Sequence, residues 1–157
     1  MADADGTTIV PDSATPDAHP SPALEALSAL VAAGLRADPE RVYDLGFDPA
    51  TGRFRPTEAQ TAVRVERLRG VRLHRAPPWS AADWVDQAGH TYDAVGNFPA
   101  KYFDQQWGQF RYQITRHARI KAEFVPVDVS QFSPEQIAEV RRFIADTLGP
   151  SVFLVGH

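Results

Sequence analysis

The feature that most constrains the fold of this chain is a predicted β-hairpin near its middle. Two short strand-like segments, Ala82–Asp86 and His90–Val95, are separated by three residues that end in Gly89. A three-residue hairpin loop usually places its last residue in the left-handed conformation, which glycine adopts without strain. This loop sets Trp84 opposite Tyr92, a favourable cross-strand aromatic pair. The sequence therefore predicts one specific register for the hairpin.

The same register places two carboxylates opposite each other, on Asp83 and Asp93. Their Cβ atoms would lie roughly 5 Å apart, and like charges at that distance destabilise a strand pair. A divalent cation such as Mg²⁺ would offset the repulsion, and so would a raised pKa on one carboxyl group. A third interpretation is that the hairpin is exposed and water solvates the carboxylates. The pair is nevertheless the leading candidate for a functional site.

The remaining patterns predict an α/β (α+β) fold. It has a small mixed sheet of about four to five strands, flanked by helices and preceded by an N-terminal helical extension. Capping boxes are predicted at Thr57-x-x-Gln60 and Ser133-x-x-Gln136. Helices are expected over 22–36, 40–45, 57–70, 100–120 and 134–148, and further strands over 71–75, 123–129 and 151–155.

Composition divides the 157 residues into three parts. Residues 1–21 are acidic and rich in proline, which predicts a disordered tail. Residues 22–52 form the helical extension, and residues 53–157 form the α/β domain. The absence of cysteine excludes disulfides and thiolate metal sites. With no secretory leader pattern and no long apolar run, we expect no membrane partner and a cytoplasmic location, as folded or at the site of action, with specialised export left open.

The helix before the hairpin adds a third candidate carboxylate. Glu66 shares a helix face with apolar residues, where an unpaired charge is costly. Glu58 lies in the first turn, where a negative charge suits the helix dipole. Glu66 is therefore the less easily explained of the two and the stronger candidate.

Arginines cluster on and after this same helix. Such a stripe could bind the phosphates of a nucleic acid, or it could be a solvated helix face in a chain that prefers arginine to lysine. Both interpretations are left open. The five arginines are Arg64, Arg67, Arg69, Arg72 and Arg75.

Two blocks of sequence carry a resemblance to a known family. They are E-A-Q-T-A-V-R-V-E-R-L-R-G and A-D-W-V-D-Q-A-G-H-T-Y-D-A-V-G. A helix with a glutamate followed by two aspartates resembles the PD-(D/E)XK nuclease superfamily. More narrowly, the chain resembles the C-terminal toxin domains of bacterial contact-dependent inhibition and other polymorphic toxins, including tRNase types. The later segments F-V-P-V-D-V-S-Q-F-S-P-E-Q-I-A-E-V-R-R-F-I and V-F-L-V-G extend the resemblance over residues 53–156.

The resemblance implies a metal-dependent nuclease that cuts tRNA or another nucleic acid, with RNA, tRNA among the candidates, as binding partner and a cognate immunity protein as a further partner. Asp83 and Asp93 match the two acids that hold Mg²⁺ or another divalent cation. Glu66, or else Glu58, matches the acid on the helix. In such nucleases the metal ion activates water and stabilises the charge that develops on the phosphate.

One position departs from the family pattern. A lysine is expected two residues after the second acid, and this chain has Val95 there. Either Lys101, at the start of the next helix, supplies the ammonium group, or the domain is inactive.

Two other functions are compatible with the sequence. A metal-independent ribonuclease would use histidine and arginine as acid, base and phosphate clamp, and His90, His117, Arg111 and Arg116 are available. His117 lies on the apolar stripe of its helix, which favours a histidine packed in the core. The other alternative is a non-catalytic module that binds nucleic acid or protein through the arginine stripe.

Overall fold

The fold combines helices with several short strands, which confirms the α+β class. The computed structural model describes residues 20–157, so the predicted tail lies outside the described residues except for Pro20 and Ser21. The helices in this part are α1 (Pro22–Ala32), α2 (Pro39–Gly46), α3 (Pro56–Arg69), α4 (Phe103–Ile120) and α5 (Pro134–Thr147). The strands are β1 (Phe47–Asp48), β2 (Arg53–Phe54), β3 (Leu73–Arg75), β4 (Trp84–Asp86), β5 (Thr91–Tyr92), β6 (Val95–Gly96), β7 (Val125–Asp128) and β8 (Val152–Val155).

One of the two predicted capping boxes forms. Ser133 accepts a hydrogen bond from the backbone of Gln136, whose side chain accepts one in return from the Ser133 backbone. The box predicted at Thr57 is wrong, because α3 begins one residue earlier, at Pro56, and Arg55 is its N-cap residue. Proline is favoured at the first helical position, so Thr57 falls inside the first turn.

The strands are divided among three small sheets. Strands β1 and β2 form a hairpin around a turn at residues 48–52, and β3, β4 and β5 form an antiparallel sheet. Strands β6, β7 and β8 are parallel, with α4 and α5 as the crossover helices. A single parallel bridge between Tyr92 and Phe124 connects the second sheet to the third.

Separate apolar clusters hold these layers together. Phe103, Phe110 and Ile114 of α4 pack against the parallel sheet. Trp84 and Tyr92, both fully buried, form the centre of a second cluster under the antiparallel sheet. The predicted aromatic pair is thus a core element, and it anchors the strands that carry the two aspartates.

One backbone carbonyl of the helical extension accepts hydrogen bonds from two side chains of the rest of the chain. The carbonyl oxygen of Leu45, in α2, accepts a hydrogen bond from the indole Nε1 of Trp84 at 2.8 Å. It also accepts one from Nη1 of Arg75 at 3.2 Å. Leu45 itself packs in the same cluster as Trp84.

Among residues 20–157, no helix has the length and apolar character that a membrane-spanning helix needs.

Candidate active site

A cleft of about 470 Å³ lies between the loop over residues 76–83, the first turns of α3 and the second half of α4. Side chains of both signs line it. They are Asp48, Arg55, Glu58, Arg75, Asp83, Asp93, His117 and Lys121. This concentration of charge distinguishes the cleft from an ordinary surface depression, because charged groups are costly to bring together away from water.

The hairpin brings both predicted aspartates to this cleft. Trp84 pairs with Tyr92, which confirms the predicted register, and Gly89 has the expected positive φ of 88°. The backbone N–H of Asp83 donates to the carbonyl of Tyr92 at 2.9 Å. The Oδ2 atom of Asp83 accepts a hydrogen bond from the backbone N–H of Ala94, also at 2.9 Å.

The second predicted strand, His90–Val95, is wrong as a continuous strand. It consists of Thr91–Tyr92 in the antiparallel sheet and Val95–Gly96 in the parallel sheet. Between them, the N–H of Asp93 donates to the carbonyl of Phe124 at 3.1 Å rather than to the hairpin partner. Asp93 therefore lies at the point where the chain passes from one sheet to the other, with only 3 % of its surface exposed.

Burial and neighbouring charge alter the acidity of Asp83. Burial, followed by the negative charges of Asp93 and Glu58, raises the pKa of Asp83 to about 8, while the Ala94 N–H and the Arg75 guanidinium act in the opposite direction. In the absence of a cation, Asp83 is therefore mostly protonated at neutral pH. A cation bound beside it would favour the carboxylate form.

The helix acid in the cleft is Glu58, not Glu66. Glu58 Oε2 accepts a hydrogen bond from Arg75 Nη1 at 2.9 Å. The Glu66 carboxylate instead forms an ion pair with Arg41 of α2 and accepts a hydrogen bond from the N–H of Leu73 at 2.7 Å. The prediction that Glu66 is the helix acid of the site is therefore wrong. Arg41 of the helical extension pairs with the Glu66 carboxylate and so accounts for a charge on the apolar face of α3.

The lysine in the cleft is Lys121, not Lys101. Val95 is buried in the apolar cluster against the parallel sheet, and Lys101 is exposed beside the ring of Tyr102, outside the cleft. Lys121, just after α4, places Nζ 3.8 Å from Oδ2 of Asp93. Sequence reasoning missed this residue, although it follows His117 by one helical turn and so shares its face.

His117 also faces the cleft, which corrects its expected place in the core. Its Nδ1 atom lies 2.5 Å from Oδ2 of Asp93. Both atoms are buried, but they are not aligned for a hydrogen bond. Neither Nδ1 of His117 nor Oδ2 of Asp93 has a hydrogen-bond partner within residues 20–157. The other parts of the predicted histidine site lie elsewhere: His90 pairs with Glu123 at 2.8 Å, and Arg111 and Arg116 are exposed on α4.

The arginine stripe does not form one surface. Arg64 pairs with the fully buried Asp128 at 2.7 Å, and Arg67 donates to the backbone carbonyl of Arg36 at 2.5 Å. Arg69 covers the ring of Phe124, with its guanidinium carbon 4.0 Å from the ring centre. Arg72 is exposed, and only Arg75 of the five reaches the cleft. Intramolecular contacts thus account for most of the stripe.

The cleft suits a metal ion whose ligands are only partly carboxylates, with water and substrate phosphate as the others. Among residues 20–157, no three His, Asp or Glu side chains are grouped so as to bind a metal ion by themselves. Mg²⁺, however, is commonly held by one or two carboxylates and completed by water and substrate phosphate. Asp83 and Asp93 supply such a pair, and the unaligned Oδ2 of Asp93 is an acceptor without a donor. The residues present therefore fit a divalent cation.

A cleft that brings acidic, basic and imidazole groups together is a candidate active site. No family model matches the chain. The chain is similar to the tRNA nuclease CdiA of Burkholderia pseudomallei, with 36 % identity over 100 residues, 56 % of this chain. It spans only 8 % of the length of that relative.

A solved structure gives a more complete match. The chain is similar to the CdiA-CT toxin from Burkholderia pseudomallei E479, solved in complex with its cognate CdiI immunity protein. The TM-score is 0.56 and the identity 26 %, covering 64 % of this chain and 99 % of that chain. In sequence and in fold, this chain is thus similar to a CdiA toxin domain.

Proposed function

We propose that this chain is a metal-dependent endonuclease that cleaves RNA, with tRNA as the substrate, and acts as a bacterial toxin. The observation that carries the proposal is the convergence of Glu58, Asp83, Asp93 and Lys121 on one cleft. The similarity to a tRNA nuclease and to a CdiA-CT toxin supports the same function. The site of action is the cytoplasm, where tRNA is found.

The proposed reaction is hydrolysis of a phosphodiester bond. Asp83 and Asp93 would hold a divalent cation, which would supply positive charge at the scissile phosphate and make a nearby water more acidic. Lys121 places its ammonium group beside Asp93 to stabilise the negative charge that develops on phosphate oxygens. Glu58, held by Arg75, accepts a hydrogen bond from the attacking water and orients it.

Metal dependence gives the direct test of this proposal. Purified protein is incubated with tRNA in Mg²⁺, in EDTA, and in EDTA followed by excess Mg²⁺. We expect cleavage in the first and third conditions only. Without the metal ion, Asp83 and Asp93 supply no positive charge to neutralise the scissile phosphate. Equal cleavage in EDTA would contradict the metal mechanism. The absence of cleavage with any divalent metal would favour a binding module instead.

The contact between His117 and Asp93 favours a second candidate, a metal-independent ribonuclease. In that mechanism His117 takes the proton from a ribose 2′-hydroxyl, and Asp93 holds the imidazole. The 2′-oxygen bonds to phosphorus as the bond from phosphorus to the 5′-oxygen breaks, and the imidazolium returns the proton to that departing oxygen. An RNA with a single 2′-deoxyribose at the cut position separates the two mechanisms. Hydrolysis by water cuts this RNA, whereas attack by the 2′-hydroxyl cannot occur.

The position of Lys121 leads to a prediction with a matched control. Lys121→Met is expected to lower kcat by about 10²-fold to 10³-fold, the usual effect of removing one group that stabilises transition-state charge. Lys101→Met, which changes the only other lysine in the chain, should leave kcat unchanged. Initial rates on tRNA measure both variants. The reverse result would return the catalytic role to Lys101.

We further propose that an immunity protein neutralises this toxin. The structural relative was solved with its cognate CdiI protein. A partner that blocks RNA must cover or reshape the charged cleft, so its own contact surface should carry charges complementary to those at the cleft mouth.

A further inference from the structure

A second cavity, of about 400 Å³, adjoins the charged cleft. The two cavities share a wall formed by Arg55, Glu58, Ala94 and His117. A strand of RNA bound with its scissile phosphate at the carboxylates would therefore continue into this second cavity.

The second cavity differs from the cleft in its chemistry. Beyond the shared wall, its lining carries hydroxyl and carboxamide groups in place of charges, on Thr57, Thr61, Asn97 and Gln113. Hydroxyl and carboxamide groups can form hydrogen bonds to the edges of nucleobases as well as to phosphates. Its volume is within the range of ordinary small-ligand pockets.

The floor of this cavity is rigid. Asn97 has a φ of 57°, and its carboxamide donates to the Thr57 carbonyl and accepts from Gln131 at 2.8 Å. Thr61 donates to the buried carboxylate of Asp128 at 2.6 Å. The hydrogen-bonding groups of Asn97 and Thr61 are used within the protein, so these side chains shape the cavity and other side chains must contact a ligand.

Two side chains remain available for a ligand, one from each flanking helix. The hydroxyl of Thr57, in the first turn of α3, has no hydrogen-bond partner within residues 20–157, where only its backbone carbonyl is used. The carboxamide of Gln113, on α4, is exposed and likewise unpaired among these residues. The pair can donate and accept hydrogen bonds across the cavity, as a base edge requires.

We propose that this cavity binds the nucleobase next to the scissile phosphate and that Thr57 and Gln113 select its identity. The proposal rests on the function proposed above and deepens it: the charged cleft performs the cleavage, and the neutral cavity chooses where it occurs. It assigns these two residues to positioning and specificity, not to the reacting atoms.

Nucleotide binding tests this assignment without requiring cleavage. The intact chain is titrated with each of the four nucleoside 5′-monophosphates, and with ribose 5-phosphate as the probe lacking a base. The readouts are the NMR signals of the Gln113 side-chain amide and the Gly96 backbone. One base should bind more tightly than the others and than ribose 5-phosphate, and Gln113→Leu should weaken its binding by about 5-fold to 100-fold.

The matched control is Gln109→Leu, an exposed glutamine one turn earlier on α4 and outside the cavity lining. It should bind as the unchanged protein does. Thr57→Val, which keeps the backbone carbonyl, should also lose selectivity. Equal binding of all five probes, or unchanged selectivity in both cavity variants, would overturn the proposal.

Sequencing of cleaved RNA ends separates this inference from the nuclease proposal. We expect Gln113→Leu to flatten the preference at one flanking nucleotide while kcat on the best substrate changes little. Base-selective binding without any cleavage would overturn the nuclease proposal and retain the base site. Cleavage with an unaltered preference in the variant would overturn the base site alone.

Discussion

Asp93→Asn is expected to lower the kcat of RNA cleavage by at least about 10²-fold to 10³-fold, with the protein still folded. Asp93 contacts two functional groups of the cleft: its Oδ2 lies 2.5 Å from Nδ1 of His117 and 3.8 Å from Nζ of Lys121. Asparagine keeps the shape but removes the charge that would hold a divalent cation and the lysine. Initial rates on tRNA at saturating Mg²⁺ measure the loss.

Asp104→Asn is the matched control. Asp104 is exposed at the start of α4, so this substitution makes the same chemical change away from the cleft. Its kcat should equal that of the unchanged protein. In a bacterial host, expression of the control should remain toxic and expression of Asp93→Asn should be tolerated. Full activity of Asp93→Asn would refute both the metal mechanism and the histidine mechanism.

Asp83→Asn is expected to abolish cleavage and, in metal-free buffer at pH 8, to raise Tm by roughly 2–8 °C. The folded protein keeps a carboxyl group in a buried position beside two other acids, which disfavours its charged form. Asparagine removes that cost, and its Oδ1 can still accept the hydrogen bond from Ala94. Activity and stability should therefore change in opposite directions.

The pH dependence of stability follows from the same group. The pKa of Asp83 is about 8 in the folded protein and near 4 in an unfolded chain. Between these values the folded protein holds one more proton than the unfolded chain, so this contribution to the free energy of unfolding falls as the pH rises. It is complete below about pH 4 and lost above about pH 8. Asp83→Asn should remove this part of the slope in urea unfolding measured with EDTA.

The same experiment includes a control and a metal test. Asp44→Asn, at an exposed position on α2, should leave both Tm and the pH slope unchanged. Mg²⁺ should raise Tm of the unchanged protein at pH 8, because a ligand that binds only the folded state stabilises it, and should have little effect on Asp83→Asn. A Tm for Asp83→Asn equal to or below that of the unchanged protein would contradict the electrostatic account.

The hairpin could be predicted from sequence because its determinants are local. A glycine that tolerates positive φ ends the three-residue loop, and the aromatic pair of Trp84 and Tyr92 sets the register. This register carries Asp83 and Asp93 to the same cleft, although Asp93 lies beyond the end of the hairpin strand. Helix starts at proline and the serine capping box are local signals of the same kind.

Apart from the capping box at Thr57, the errors depend on contacts between distant segments. Glu66 is satisfied by Arg41, which lies 25 residues earlier, and no periodicity within α3 could reveal that partner. The hairpin strand ends at Tyr92 because Phe124 captures the N–H of Asp93. Lys121 reaches the cleft only because α4 crosses back over the parallel sheet, and that arrangement had to be seen before this lysine could be chosen.

The carbonyl of Leu45 determines which segment must be included when this fold is fused to another polypeptide. A fragment cut at Arg53 would leave the buried indole N–H of Trp84 without an acceptor and would also remove an acceptor from Arg75, the arginine that holds Glu58. It would also remove Arg41 and so leave the carboxylate of Glu66 without its ion-pair partner. The smallest portable unit therefore begins before α2, although the resemblance in sequence begins only after it.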